Sequence, residues 1–542
     1  MTSQTALTRF SHRPLVALVA AGVTSILVLG GCSASLPSSS PGAIPQPDPL
    51  ISQAPEGFEE YYGQIIEWGT CDVADIVPSY MAAPQDPDNY QCATVSAPMN
   101  WDDPDSTPIE LGVARYVGAA DGGERPPLFY NLGGPGGGAI DSLVGFTTSI
   151  LTDQVADSFY IVALDPRGVG LSTPLWCMTD EERDEDNALT LDFTDMSTEE
   201  LLAWNETEVA RLGNQCLERN GDILGFVDTD SAARDFDMVR AVLGAEVMDY
   251  LGFSYGTLLG ATYADLFPEH VGRFVLDGAL DPAMNVNEVS AAQIGGMEAS
   301  LNNWIETCVA EGECPLGDSL EAGQQTMMDF FAAVEEEPLE TSDPSRPLTL
   351  GLAETAVVGS LYSTESYSLL TQGMAQALGS DDGSILLFLA DFFNNREADG
   401  TYSANSSDAF LSINMLDYEP VGTPEEWEVE ARELREKYPI LGADAGFASA
   451  GLDAWPVESR SGRRVITAQG APPMLIIGTT HDPATPYIMA ENMHRELENS
   501  VLLTVEGWNH TAYSSGASAC VTGAVDNFLL TGELPKDGTV CE

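Results

Sequence analysis

Five residues, Gly252-Phe253-Ser254-Tyr255-Gly256, limit what this chain can fold into more than any other stretch. An apolar run over residues 247–253 precedes the serine and reads as a buried strand. A mostly apolar run over 255–267 follows and reads as a helix, with Pro268 just past its end. Gly-x-Ser-x-Gly between a strand and a helix is the pattern of a nucleophile elbow, where the serine sits on a sharp, strained turn. A Cβ at either glycine would crowd that turn. The first N–H groups of the helix would face the serine oxygen and any oxyanion formed beside it. The chain has 51 glycines, so the five letters alone say little, and the flanking strand and helix carry the reading.

The same rhythm runs outward from the elbow. Residues 111–117, 128–132, 159–164 and 274–276 read as strands. Residues 231–243 read as an amphipathic helix with Ala233, Phe236, Val239 and Leu243 on one face, closed by Gly244. Residues 56–110 read as irregular. From Asp281 to about Gly470 the strand rhythm stops, and strands resume at 474–477 and 501–505. Alternating strands and helices predict a mostly parallel sheet with helices on both faces, interrupted by a long insertion that reads as a lid.

An activated serine needs a histidine, and the histidine needs a carboxylate. Only five histidines are present. His12 lies in an apparent leader, His270 in the turn after the elbow helix, and His481 and His494 near a strand end and in a helix-forming stretch. His510, in Gly507-Trp508-Asn509-His510-Thr511, follows the last expected strand, where such sheets carry their chemistry. Asp482 follows the penultimate strand and precedes His510. The order Ser254, Asp482, His510 is the α/β-hydrolase order. Asp277 and Asp281 also follow a strand and are its rivals. The Gly-rich run Gly133-Gly134-Pro135-Gly136-Gly137-Gly138 lacks a phosphate-loop Lys-Ser/Thr. It suits an oxyanion loop, with the Gly134 and Tyr255 N–H groups as donors. In Asp165-Pro166-Arg167-Gly168, the charged pair reads as a structural brace.

Arg9 and Arg13 precede an apolar stretch over 15–29, too short for a membrane span, that ends in Leu29-Gly30-Gly31-Cys32. Residues 1–31 therefore read as a lipoprotein signal, with Cys32 as the lipid attachment site, and 32–55 as a Ser/Pro-rich tether. The hydrolase core is expected over 56–282 and 471–542, with a lid over 283–470. Eight of the nine cysteines remain, an even count that suggests disulfides in an exported chain. Nearest neighbours would pair Cys71–Cys92, Cys177–Cys216, Cys308–Cys314 and Cys520–Cys541. No Cys/His cluster points to a metal, and neither metal nor cofactor is expected. A formal charge of −63 makes nucleic acid and anionic lipid poor partners.

Together, Leu132-Gly133-Gly134-Pro135-Gly136, Asp165-Pro166-Arg167-Gly168-Val169-Gly170, the elbow, and Gly478 to Pro486 with His510 resemble the actinobacterial tripeptidyl aminopeptidase family. Those are exported α/β-hydrolases related to proline iminopeptidases. The resemblance covers most of residues 60–542. It implies a serine exopeptidase acting on peptides with a free N-terminus; with Cys32 lipidated, the exported enzyme would be held at the membrane outside the cytoplasm. Leu132 departs from the histidine that iminopeptidases carry before Gly-Gly-Pro-Gly. Acidic residues of the lid, Glu298 among them, are candidates for pairing with the substrate amine, although a solvated helix face explains Glu298 as well. An esterase or lipase would use the same triad, and a non-catalytic surface binding lipoprotein would need none of it.

Overall fold

A computed structural model describes residues 46–79, 83–84, 86–118, 125–189, 196–443, 445–460 and 462–542. The leader, Cys32 and most of the tether lie outside the described residues.

Ten strands form one sheet among the described residues. They are β1 (Gly69–Thr70), β2 (Tyr90–Pro98), β3 (Pro108–Tyr116), β4 (Pro127–Asn131), β5 (Tyr160–Leu164), β6 (Met248–Phe253), β7 (Val271–Asp277), β8 (Met474–Thr479), β9 (Ser500–Val505) and β10 (Thr539–Cys541). Their order is β1-β2-β3-β5-β4-β6-β7-β8-β9-β10. Pairing is antiparallel from β1 through β3 to β5 and parallel from there on. This is the α/β-hydrolase arrangement, with the elbow strand β6 central. The central strands are apolar on both faces because both are covered. Along β4, Phe129 joins one core while Leu128 and Tyr130 join the other, as the pleat requires.

One expectation fails here. Residues 56–110, read as irregular, contain β1, β2 and the start of β3. β2 and β3 pair from Tyr90↔Tyr116 to Pro98↔Pro108. The Pro and Asp residues that obscured the strand lie at its ends and in the turn, where they cost the ladder nothing.

Between β7 and β8 the chain forms seven α-helices, from Val286–Glu311 to Pro424–Lys437, and no strand among the described residues. These helices have a core of their own, built on Leu301, Trp304, Phe330, Val357 and Leu386. The four disulfides are Cys71–Cys92, Cys177–Cys216, Cys308–Cys314 and Cys520–Cys541. No helix among the described residues is long and apolar enough to cross a membrane.

Candidate active site

Ser254 leaves β6 and starts the helix Tyr255–Leu266 with φ 54° and ψ −125°. The neighbouring glycines allow this turn. A Cβ on Gly252 would lie 2.6 Å from the Gly256 oxygen, and one on Gly256 would lie 2.8 Å from the Asn131 oxygen. The Ser254 N–H donates to the Asp277 carbonyl at 2.9 Å. Its carbonyl accepts the Thr257 N–H at 2.8 Å and hydroxyl at 2.6 Å. Both backbone groups of the strained residue are thus satisfied.

The Gly-rich loop lies directly on the elbow. Gly133 has φ 104°, and a Cβ there would be 2.5 Å from the Phe253 oxygen and 2.9 Å from the Tyr255 nitrogen. No other residue type fits that contact. Gly134 and Ser254 line two cavities together. Asp165 holds the far end of the loop, accepting the Ala139 N–H at 2.7 Å and the Ile140 N–H at 3.0 Å. Arg167 is fully buried and pairs with Asp235 through two contacts of 2.7 Å. Both charged residues hold structure together.

His510 shares a cavity with Ser254. Its Nδ1 lies 2.8 and 3.0 Å from the two oxygens of Asp482. Asp482 also accepts N–H groups from Ala484, Thr485 and Thr511 at 2.9, 2.8 and 3.1 Å. The Tyr362 carbonyl accepts the His510 N–H at 2.8 Å, and the two rings meet edge to face at 5.4 Å.

The rival acids are engaged elsewhere. Asp277 accepts the N–H groups of Ala512 and Tyr513, the closest at 2.7 Å. Burial pushes its carboxyl up to about 6, with those N–H groups opposing the shift and the Asp482 charge adding to it. Asp281 accepts from Ala283 N–H and Asn492. His270 meets Asp237 at 2.7 Å, His494 meets Ser500 at 2.8 Å, and His481 stacks on Trp508. Among the described residues no group of His, Cys, Asp and Glu is placed to hold a metal.

The family described as "TAP-like protein" matches residues 439–541, which hold β8, β9, Asp482 and His510. Over 496 residues the chain is 33% identical to the Mycobacterium tuberculosis protein named serine protease Hip1, covering 89% of this chain and 92% of that one. It is 28% identical over 473 residues to the tripeptidyl aminopeptidase of Streptomyces lividans, covering 84% of each. The chain belongs to the tripeptidyl aminopeptidase family of α/β-hydrolases. It is a serine hydrolase. A further relative, named carboxylesterase B in M. tuberculosis, is 34% identical over 460 residues, covering 83% of this chain and 86% of that one.

The two cavities of this hydrolase differ. The first, on the His510 side, is lined by Phe146, Tyr362, Glu365 and Asn509. The second lies under the helices between β7 and β8 and is walled by Leu280, Val289, Met297, Phe410 and Trp455. Asn205, Ser290 and Arg463 also border it, and no Asp or Glu does among the described residues. Glu298 is neither solvated nor aimed at a substrate. It is 3% exposed, and its carboxylate accepts the Ile440 and Leu441 N–H groups at 3.3 and 2.8 Å. Sequence reasoning also missed Tyr362 and Asn205. Each reaches the site from a helix-rich stretch with no motif around it, and nothing in local spacing could have found them.

Proposed function

We propose that this hydrolase is a serine exopeptidase that releases short peptides, tripeptides by family resemblance, from free N-termini. Ser254 Oγ attacks the scissile carbonyl and passes its proton to His510 Nε2. Asp482 holds the imidazole tautomer and steadies the imidazolium. The N–H groups of Gly134 and Tyr255 take the oxyanion. His510 then protonates the leaving amine, so the leaving part occupies the cavity His510 lines. Water enters there and hydrolyses the acyl-enzyme by the reverse proton path.

The acyl part, by elimination, takes the second cavity. The observation that carries the peptidase reading over an acyl-chain esterase is that cavity's border. Asn205 Oδ1 and Ser290 Oγ are shielded from water and have no partner among the described residues. The Asn205 Nδ2 donates to the Ala450 carbonyl at 3.0 Å, so the oxygen is the half of the amide without a partner. A fatty acyl chain would leave these groups unpaired, whereas a peptide with its amine and amides supplies donors.

Because these acceptors are uncharged, the amine is held less strongly than a carboxylate would hold it. N-acetylation of a good tripeptidyl amide should lower kcat/KM by roughly 10-fold, the scale of one hydrogen bond to a charged group. Equal rates for free and acetylated peptides, with faster turnover of long-chain acyl esters, would support the carboxylesterase alternative instead.

The four disulfides and Leu29-Gly30-Gly31-Cys32 support export and lipid attachment at Cys32. Cys32→Ala should move the protein from the membrane fraction to the soluble one. A variant that stays with the membrane would remove lipidation as its tether.

A further inference from the structure

Arg463 is the charged residue bordering the second cavity among the described residues. Its Nη2 donates to the Tyr418 hydroxyl at 2.6 Å, and its guanidinium lies 4.3 Å from the centre of that ring. These contacts orient the planar group and use one of its five N–H donors. Nε and Nη1 are shielded from water and have no acceptor among the described residues. The adjacent Arg464 is paired with Asp230 at 3.1 Å and Asp265 at 3.7 Å, so acids are at hand and Arg463 has been left out. Asp417, the carboxylate within reach of its field, gives its oxygens to the Thr229 N–H and hydroxyl. In a chain with 21 basic and 84 acidic side chains, a guanidinium with no ion pair among the described residues beside an apolar cavity is a conspicuous choice.

A carbonyl oxygen would answer part of that deficit. A carboxylate answers more, because it matches the charge and can accept either of these N–H groups together with the second N–H of Nη2 beside it. The surrounding apolar walls strengthen such a pair, and no wall carboxylate among the described residues competes for it. We infer that Arg463 binds a carboxylate in the acyl part of the substrate, so that the enzyme prefers an acidic side chain within the peptide it releases. This rests on the assignment of the second cavity to the acyl part. A Lys or Arg side chain in the same place would be disfavoured by like charge.

The test compares Glu with Gln, equal in shape, at each of the three positions of a tripeptidyl aminomethylcoumarin, using the purified full-length enzyme. At one position kcat/KM should favour Glu by about 10-fold, the difference between a charge-assisted and a neutral hydrogen bond. In Arg463→Gln that ratio should fall to about one, and in Arg463→Lys it should be intermediate, because Lys keeps the charge and loses the fork. Each ratio is taken within one variant, so a loss of folded enzyme cancels. Ratios near one at all positions in the unaltered enzyme, or a Glu preference untouched by Arg463→Gln, overturn the inference. A second pair, mono-p-nitrophenyl glutarate against p-nitrophenyl valerate, separates it from the exopeptidase reading. If no peptide is cleaved but the glutarate ester is preferred and Arg463→Gln abolishes that preference, the exopeptidase reading falls and the carboxylate site stands. If peptides are cleaved and neither pair discriminates, the carboxylate site falls alone.

Discussion

Two buried aspartates, Asp277 and Asp482, stand behind His510, and their hydrogen bonds divide the work between them. Asp482 meets His510 Nδ1 itself, whereas Asp277 holds the backbone of Ala512 and Tyr513. One sets the ring and the other sets the loop that carries the ring. Asp482→Asn should therefore cost on the order of 10⁴ in kcat, the loss seen when a serine-protease triad loses its carboxylate, with the fold intact. Asp277→Asn should cost far less in kcat and more in thermal stability, since its amide would point a donor at two N–H groups. Steady-state kinetics and melting curves of the two variants distinguish these outcomes, and a larger kcat loss for Asp277→Asn would exchange their roles. Which aspartate follows which strand was legible in the chain. That one faces the ring and the other the backbone was not, because both follow parallel strands and differ only in side-chain direction.

Strand, turn and loop act together at the next scale. β6 delivers Ser254, and β4 delivers the Gly-rich loop beside it, because β4 and β6 are paired neighbours with Asn131 opposite Gly252. The sheet register therefore sets the distance between Ser254 and the Gly-rich loop. Gly133 is where the two backbones touch. Gly133→Ala would put a methyl group 2.5 Å from the Phe253 oxygen at a φ that disfavours side chains. The loop must retreat, and kcat should fall by about 10²-fold or more, as when an oxyanion donor is removed, with KM changed much less. Pre-steady-state acylation rates of the variant would measure this directly, and an unchanged rate would show that the loop does not hold the oxyanion.

Across the whole molecule, burial has raised several carboxyls. Asp165, Asp277 and Asp417 are pushed up to about 6, each chiefly by desolvation. In the unfolded chain these groups release their protons near 3.8. Between roughly pH 4 and 6 the folded state thus binds more protons than the unfolded state, and stability falls as pH rises through that window. Their favourable contribution is complete near pH 4 and lost above about 6. From pH 7.5 to 5 each should add about 1 kcal/mol to stability. Relief of the −63 charge acts in the same direction. Asp237 and Asp184 are held below the usual carboxylate range despite burial, by His270 and Arg240 and by Arg396 and Tyr402. They oppose this only below the ordinary carboxylate value, outside the window. Calorimetry should find a higher Tm at pH 5 than at pH 7.5, and Asp417→Asn should flatten the slope. A Tm that rises with pH over this range would contradict the assignment.

The chain by itself determined the strand-turn-helix at Ser254 and the alternation that makes a parallel sheet, because each depends on contacts between near neighbours or on strand period, and it offered Asp482 and His510 only as candidates in chain order. β2 escaped because a strand among Pro and Asp residues is recognised by its partner β3 rather than by its own letters. Tertiary structure alone decided what surrounds Ser254. Asn205 comes from a helix before the elbow, Tyr362 from the helical stretch after β7, and Arg463 from the segment leading back to β8. They meet at one cavity only when packing closes the helices over the sheet. Glu298 turned inward for the same reason: its helix buries the face that carries it, and the free N–H groups of Ile440 and Leu441 were there to meet the carboxylate. Local pattern specifies which residues can form an element. Which side of that element faces the substrate depends on the packing of other elements, and no local spacing encodes that.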